Sequence, residues 1–199
     1  RTSTKYIMNN GKLIIISAPS GAGKTSICKR LLKSNSKWLF SVSATTRNKR
    51  DYEVDGKDYI FMKKEKFDHA EKFGEFIESE WVHGNKYGTL YKPIEDSLDN
   101  GDVMLVDVDV KGAMNLIEEF PEDSISIFIE PPGINDSDKK ELLLERMINR
   151  GNDNETLYKQ RLRRFEFEIG FKDKFDFSFI NDNLDKTTDK IEKFIKEKI

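Results

Sequence analysis

Three isoleucines, Ile14 to Ile16, run directly into the sequence SAPSGAGKTS, and this junction limits the possible folds more than any other feature of the chain. A short apolar strand can be followed by any tight turn, but here two glycines and a lysine follow it. Gly21 and Gly23 permit positive φ and a close approach of the backbone to a ligand. The pattern predicts a buried strand, a loop with exposed N–H groups and a helix that begins near Lys24, an arrangement that binds anions.

The loop matches the phosphate-binding pattern G-x-x-x-x-G-K-[ST] with one departure, because Ala18 occupies its first position. An alanine there removes some backbone freedom but no phosphate donor. In this pattern Lys24 reaches the outer phosphates and the hydroxyl of Thr25 binds magnesium. The alternative is a chance glycine-rich turn beside an exposed lysine. The order of strand, loop and helix favours the phosphate loop, and therefore a site for a nucleoside triphosphate.

The charge balance gives no general attraction to polyanions. The chain of 199 residues carries 34 basic and 36 acidic side chains, so any binding of phosphate must be local. We expect no binding to nucleic acid or to membranes, since no apolar run has the length of a membrane span. Cys28 is the only cysteine, which excludes an internal disulfide and predicts a reducing, cytoplasmic location. No obligate protein partner is evident, and we expect a monomer.

Apolar segments that alternate with helical patterns predict an α/β fold with a parallel sheet covered on both faces. Strands are expected at Leu13–Ser17, Val103–Val108, Ser126–Ile129 and Phe177–Ile180. Helices are expected at Lys24–Leu32, Lys111–Glu118 and Asp136–Arg150, the last with Asp136 or Ser137 as its N-cap, and along the closing segment that contains Leu184, Ile191 and Ile195. Residues 45–100 are polar and rich in turns, and are expected to form an inserted subdomain. Residues 1–10 lack the apolar core of a signal peptide and are expected to be an N-terminal extension.

A second anion site is suggested by SVSATTRNKR, which contains Arg47 and Arg50 three residues apart. The planar guanidinium binds two phosphate oxygens at once, which suits a monophosphate. Tyr59 and Tyr87 add two phenol hydroxyls, and the carboxylate of Glu78 can accept hydrogen bonds from the edge of a base. Each signal is weak alone, because a single arginine is more often a solvated surface residue.

Two carboxylates follow the apolar strand VMLVDVDV. Asp107 and Asp109 alternate with valine and therefore share one face. They repel each other unless a cation or a donor-rich ligand lies between them. Asp107 suits magnesium, through a bound water, because that ion tends to keep its waters. The alternative is a pair of polar residues that mark where the strand reaches the surface.

Eight ordered features of the chain resemble the guanylate kinases. They are SAPSGAGKT, FSVSATTRNKR, VDGKDYIF, EFIE, GNKYGT, LVDVDVKG, INDNLD and the spacing between Arg150 and Arg161. The resemblance runs from about Gly11 to the C-terminus and implies a P-loop nucleoside monophosphate kinase fold, in which helices flank a five-stranded parallel core sheet. It implies a core of residues 11–42, 101–135 and 170–199, a GMP-binding subdomain of residues 43–100 and a helical lid of residues 136–169.

The resemblance also implies a role for each matched residue. The residues expected to bind ATP are Ser20, Gly21, Ala22, Gly23, Lys24, Thr25, Ser26, Arg146, Asn181 and Asp182. Those expected to bind GMP are Ser43, Arg47, Arg50, Tyr59, Glu78, Tyr87, Thr89 and Asp109. Lys24, Arg50, Arg150 and Arg161 are expected to act on the transferred phosphoryl group, and Thr25 and Asp107 to bind Mg²⁺.

Two features depart from the family pattern. Leu90 follows Thr89 where a small polar residue is usual, and the segment 132–150 is longer than is typical. The arginines after this segment fall into two groups. Arg150 and Arg161 match the lid arginines of the family, whereas Arg163 and Arg164 are interpreted as a charged, solvated helix face.

The sequence predicts an ATP:GMP phosphotransferase that uses magnesium and gives ADP and GDP. A phosphate oxygen of GMP is already the nucleophile, so no general base is needed. One alternative is a kinase for another nucleoside monophosphate. Only the set of Ser43, Glu78 and Asp109 favours GMP over this alternative. The other is a non-catalytic, guanylate-kinase-like module that binds phosphopeptides, against which the retained loop lysine and lid arginine argue.

Overall fold

The computed structural model describes residues 11–82, 84–149 and 163–199. The strands are β1 (Lys12–Ser17), β2 (Leu39–Phe40), β3 (Ala44–Thr45), β4 (Ile60–Phe61), β5 (Phe76–Val82), β6 (Asn85–Leu90), β7 (Val103–Asp107), β8 (Ser124–Glu130) and β9 (Phe177–Ile180). The helices are α1 (Lys24–Ser34), α2 (Lys64–Lys72), α3 (Tyr91–Asp99), α4 (Val110–Glu119), α5 (Asp136–Asn149), α6 (163–169) and α7 (Leu184–Lys198). A short 3-10 helix, Lys172–Lys174, lies between α6 and β9.

Strand β1 lies in the middle of a five-stranded sheet with the order β2-β7-β1-β8-β9. All of these strands pair in parallel. Leu13 and the three isoleucines of β1 are fully buried. A strand covered on both faces has no polar side, which explains why this sequence is a continuous apolar run. The predicted α/β fold with a five-stranded parallel sheet is confirmed.

The two faces of the sheet pack against different helices. Because side chains alternate along a strand, Ile14 and Ile16 point to one face and join the cluster that contains Leu31 of α1 and Ile191 of α7. Ile15 points to the other face, where the cluster includes residues of α3 and α4. The helices on both sides thereby fix the position of β1 and of the loop that follows it.

A second sheet of four strands, with the order β4-β3-β6-β5, is formed by residues between Ala44 and Leu90. Strands β5 and β6 are antiparallel, and their register shifts between Phe76 and Glu78. This β-bulge changes the direction of the following side chain. Helix α3 comes next in the chain, and its Ile94 packs with the core cluster of the first sheet.

The strand ends of the first sheet meet at one edge, as parallel pairing requires. Ile16 of β1 is in register with Asp107 of β7, and Ser17 is in register with Phe128 of β8. The polar residues that follow β1 and β7 are therefore neighbours in space, although more than 80 residues separate them in sequence. Ligands of open α/β sheets bind at this edge.

Helix α5 begins at Asp136 as expected, but its N-cap differs from the expected one. Asn135 is its N-cap, because Asn135 Oδ1 accepts a hydrogen bond from the Asp138 N–H at 3.0 Å. The prediction of Asp136 or Ser137 as the cap is wrong, since the helix already begins at Asp136 and places that carboxylate in its first turn. Across the described ranges, the search for a helix long and apolar enough to cross a bilayer finds none.

We expect Ile15→Ala to lower the free energy of unfolding by about 2–5 kcal/mol, because it leaves a cavity in a fully buried strand. Ile180→Ala in β9 is the matched control, since Ile180 is 53% exposed and its loss should cost much less. Urea titration of both variants measures the difference. Equal destabilisation would contradict the central position of β1.

Candidate active site

The loop between β1 and α1 turns at two glycines. Gly21 and Gly23 have φ values of 91° and 101°, in the left-handed region that favours glycine. Gly23 is the N-cap of α1 and has no side chain to occupy the N–H groups of the first turn, which suits the binding of an anion there. Asn181 fixes the turn, because its Nδ2 donates to the Ala22 carbonyl at 2.7 Å. A Cβ on Gly23 would lie 2.3 Å from the same nitrogen, so this position has room for glycine only.

Lys24, Thr25 and Asp107 meet beside this loop. The Lys24 Nζ lies 2.6 Å from Asp107 Oδ1 and donates to the Val108 carbonyl at 2.8 Å. The Thr25 hydroxyl donates to Asp107 Oδ2 at 3.3 Å. All three line a cavity of about 750 Å³ together with the loop residues Ser20, Gly21, Gly23 and Ser26. The sequence-predicted lysine, hydroxyl and carboxylate are thus brought together at one side of a large cavity.

The opposite side of this cavity contains a pair that the sequence analysis missed. Glu168 in α6 is only 4% exposed, and its Oε2 accepts a hydrogen bond from the Ser20 N–H at 3.4 Å. Its Oε1 lies 3.0 Å from the Nε of Arg164, one helical turn earlier. Burial raises the pKa of Glu168, and the adjacent guanidinium partly opposes that shift.

A smaller cavity, about 190 Å³, adjoins the first. Lys24, Asp107 and Asp109 line both cavities. The remaining wall of the smaller cavity is formed by Val108, by Ser43 just before β3, and by four residues of the second sheet: Glu78, Glu80, Tyr87 and Gly88. Two ligands bound in the two cavities would therefore meet at the same lysine and aspartates.

Glu78 is the central acceptor of the smaller cavity. Its Oε1 accepts a hydrogen bond from the Thr89 hydroxyl at 3.1 Å. Its carboxylate lies so close to α4 that a Cβ on Gly112 would be 2.6 Å from Oε2. Burial and the neighbouring charge of Asp109 raise the pKa of Glu78 to about 7, although Thr89 and Lys24 favour the ionised form.

Asp109 is held from two directions. As the N-cap of α4, its Oδ1 accepts hydrogen bonds from the N–H groups of Lys111 and Gly112 at 3.0 and 2.9 Å. Its Oδ2 lies 2.7 Å from a terminal nitrogen of Arg164. Arg163 and Arg164 are both exposed, as expected for a solvated helix face. The sequence did not predict that the guanidinium of Arg164 also contacts Glu80 and Asp109.

Three of the four residues that were predicted to bind a phosphate group cluster beside the second sheet; they are Arg47, Tyr59 and Tyr87. The guanidinium of Arg47 makes two hydrogen bonds to Glu53, at 2.7 and 3.0 Å, and these hold the pKa of Glu53 near 2. The ring of Tyr59 lies 5.3 Å from the guanidinium carbon of Arg47 and 5.8 Å from the ring of Tyr87. Arg50 does not join them through its side chain, which donates instead to the exposed Tyr52 hydroxyl at 2.7 Å.

Some of the remaining predicted site residues lie within the described part of the chain, and others lie outside it. Asp182 is exposed beside Asn181, and its Oδ1 accepts a hydrogen bond from the Asn183 N–H at 2.7 Å. The backbone of Arg146 lies within α5. Its side chain, together with Arg150 and Arg161, lies outside the described residues.

The chain is similar to known proteins over nearly its whole length. The model of the guanylate kinase family matches residues 10–198. The guanylate kinase of Chlorobium chlorochromatii is 45% identical over 183 residues, which cover 92% of this chain and 93% of that protein. The guanylate kinase of Thermotoga maritima is 38% identical, over 94% of this chain and 86% of that protein.

A solved structure extends the similarity to three dimensions. The crystal structure of guanylate kinase from Anaplasma phagocytophilum has a TM-score of 0.70 and 32% sequence identity to this chain. The match covers 94% of this chain and 86% of that one. The phosphate loop, the second cavity and these similarities over nearly the whole length lead to one conclusion: the chain belongs to the guanylate kinase family.

Proposed function

We propose that this protein transfers the γ-phosphoryl group of Mg·ATP to a phosphate oxygen of GMP, giving ADP and GDP. The observation that carries the proposal is the pair of adjoining cavities that share Lys24, Asp107 and Asp109. The larger cavity is bounded by a phosphate loop, and the smaller by the half-buried carboxylate of Glu78, which accepts a hydrogen bond. Since the acceptor oxygen is already ionised, the protein has to position two anions and compensate their charge.

ATP is assigned to the larger cavity. The N–H groups of the loop and of the start of α1 would hold its phosphates, with Lys24 beside the outer ones. Arg146, Asn181 and Asp182 are assigned to the nucleotide as well. The family resemblance assigns Arg150 and Arg161 to the transferred group, where a cation offsets the charge that spreads over its oxygens.

Magnesium fits the chemistry of Thr25 and Asp107. A hydroxyl and a carboxylate are the oxygen ligands that this ion prefers, and here they lie 3.3 Å apart. Asp107 would hold the ion through water. When bound, magnesium neutralises charge on the phosphates of ATP.

GMP is assigned to the smaller cavity and the adjacent phosphate cluster. Arg47, Tyr59 and Tyr87 would bind its phosphate, and Arg50 would join them by turning away from Tyr52. Around the base, Glu78 and Asp109 would accept hydrogen bonds from the donors N1–H and the exocyclic amino group. Ser43 would donate to O6, and Thr89 would join it by turning its hydroxyl proton away from Glu78. Adenine has the opposite polarity at these positions, and pairing a half-buried carboxylate with a lone pair is costly.

The cellular setting is proposed on sequence grounds. Cys28 is the only cysteine of the chain and is buried in the core, where burial raises its pKa and keeps the thiol protonated. A reducing compartment suits such a protein, and we place it in the cytoplasm. We also propose that it acts as a monomer, because the residues assigned to both substrates come from one chain.

A panel of acceptors tests the proposal. ADP release, measured by a coupled assay with GMP, AMP, UMP and CMP, should be fast with GMP alone. Lys24→Met should lower kcat for GMP by about 10³-fold or more, since it removes the cation shared by both cavities. Lys29→Met, an exposed position on the same helix, is the matched control and should leave kcat unchanged. Comparable rates with AMP and GMP would contradict the guanine assignment.

The raised pKa of Glu78 predicts that GMP binding weakens as the pH falls below about 7. Guanine donors require the ionised carboxylate, so a protonated Glu78 must release its proton before GMP binds. The phosphate of GMP also titrates, with a pKa near ~6, so Glu78→Gln provides the reference. Between pH 8 and pH 6, the Kd for GMP should rise about tenfold more in the wild type than in Glu78→Gln, by calorimetry.

The same shift has a consequence for stability. The pKa of Glu78 is higher in the folded protein than in the unfolded chain, so its contribution to stability is present below its unfolded value and lost as the pH rises through about 7. Without GMP, the wild type should therefore lose stability relative to Glu78→Gln between pH 5 and pH 7. A constant difference across this range would contradict the raised pKa.

Gly112→Ala should lower GMP affinity without destabilising the fold. The new Cβ would lie 2.6 Å from Glu78 Oε2, and the end of a flexible side chain moves at little cost. Alanine also has a higher helix propensity than glycine, by up to ~1 kcal/mol. We expect the KM for GMP to rise about tenfold, at about 1.4 kcal/mol, with an unchanged KM for ATP. Gly170→Ala is the control, because its Cβ would make only ordinary contacts. An unchanged KM for GMP in Gly112→Ala would show that the position of Glu78 does not matter.

A further inference from the structure

Arg164 lies where three elements of the protein meet. Its terminal nitrogen is 2.7 Å from Asp109 Oδ2 at the start of α4 and 3.5 Å from Glu80 Oε1 in β5. Its Nε is 3.0 Å from Glu168 Oε1 in α6. One guanidinium thus joins the first sheet's helix layer, the second sheet and the helix beside the phosphate loop. It lines the larger cavity, while Asp109 lines both.

The contact with Arg164 fixes the one oxygen of Asp109 that α4 leaves open. Two backbone N–H groups hold Oδ1, and the guanidinium holds Oδ2. A carboxylate anchored through both oxygens has a single orientation and retains lone pairs for further donors. The orientation of Asp109 toward the smaller cavity therefore depends on Arg164.

The surrounding charges make this cation necessary. Asp109 faces the carboxylates of Glu78, Asp107, Glu80 and Glu168. The cations near it, within the described ranges, are Lys24, Lys111 and Arg164. Lys24 is held by Asp107 and by the Val108 carbonyl. The ammonium of Lys111 lies over the ring of Phe167, 5.6 Å from its centre. Arg164 is the cation in direct contact with Asp109.

We propose that Arg164 is a positioning residue for guanine specificity: it orients Asp109 so that Asp109 accepts the exocyclic amino group of the acceptor base. The inference rests on the proposed assignment of GMP to the smaller cavity. Arg164 acts through Asp109 and does not itself contact the base. Its contribution therefore concerns the amino group, which distinguishes GMP from IMP.

The loss of Arg164 has a definite geometric consequence. Arg164→Ala removes the donor that holds Asp109 Oδ2, while Oδ1 stays bound to the N–H groups of Lys111 and Gly112. Oδ2 is then no longer fixed in direction. A base with an exocyclic amino group loses a positioned acceptor, whereas IMP has no amino group and loses less.

The test compares GMP and IMP in four proteins: the wild type, Arg164→Ala, Arg164→Lys and Arg163→Ala. Arg163 is exposed on the same helix and is the matched control. At pH 7, Arg164→Ala should lower kcat/KM for GMP by about 30-fold and that for IMP by no more than about threefold. Arg164→Lys should restore part of the preference for GMP, and Arg163→Ala should match the wild type.

The outcomes separate this inference from the proposed function. A wild type that uses AMP as well as GMP contradicts the proposed function before any variant is considered. If the wild type prefers GMP but Arg164→Ala keeps its GMP to IMP ratio, the inference is overturned. An equal loss of kcat/KM with GMP and with IMP would likewise overturn the inference. So would a rise in the KM for ATP alone, because it would mean that Arg164 acts through Glu168 and the phosphate loop.

Discussion

Lys24 and Asp107 meet at 2.6 Å where β1 and β7 end, and both cavities are arranged around this contact. It follows from parallel pairing, because the register of Ile16 with Asp107 brings the two strand ends to one edge. The helix that begins at Lys24 adds its N-terminal N–H groups at the same place. The ion pair is about one-fifth exposed on each side, so an entering phosphate replaces a protein carboxylate as a partner of the lysine and needs little rearrangement. Asp107 thus positions the ammonium group of Lys24, and the same carboxylate would be available to magnesium when the ion binds.

The second constraint is the concentration of carboxylates around this contact. Glu78, Asp107, Asp109 and Glu168 lie near a site that has to accept two anionic nucleotides. Each is paired with a specific donor: Thr89, Lys24, the start of α4 with Arg164, and the Ser20 N–H. Because each carboxylate is bound to a donor, the phosphates meet the exposed cations and N–H groups first. Burial raises the pKa of both Glu78 and Glu168. Of these two, Glu78 lines the smaller cavity, where a donor-rich ligand would complete its hydrogen bonds.

Local patterns predicted the loop and four of the five strands of the first sheet, whereas β2 was implied only by the family resemblance. The expected strands and helices agree with the observed ones to within one or two residues, because apolar runs and helical periodicity are properties of adjacent residues. The cluster of Lys24, Thr25 and Asp107 also follows from a motif and from strand order. The contacts of Arg164 were not predicted, since they join residues 55 and 84 positions apart. Nor does a pattern in the sequence reveal the bulge at Glu78 or the side chain of Glu168 under the loop. These depend on how the two sheets are placed relative to each other.

The different contacts of Arg47 and Arg50 could not be predicted from the sequence either. They are three residues apart and equivalent in sequence, yet Glu53 holds Arg47 in a two-point contact while Arg50 extends to the exposed Tyr52. Glu53 is 7% exposed, so Arg47 is preorganised at the edge of the second sheet with the ring of Tyr59 against it. Arg50 has only a surface partner to leave. A phosphate that enters the cluster would therefore meet one fixed cation first and gain a second by a rotation of one side chain. Rigid and adaptable parts of the binding surface thus arise from a single buried carboxylate, and not from the arginines themselves.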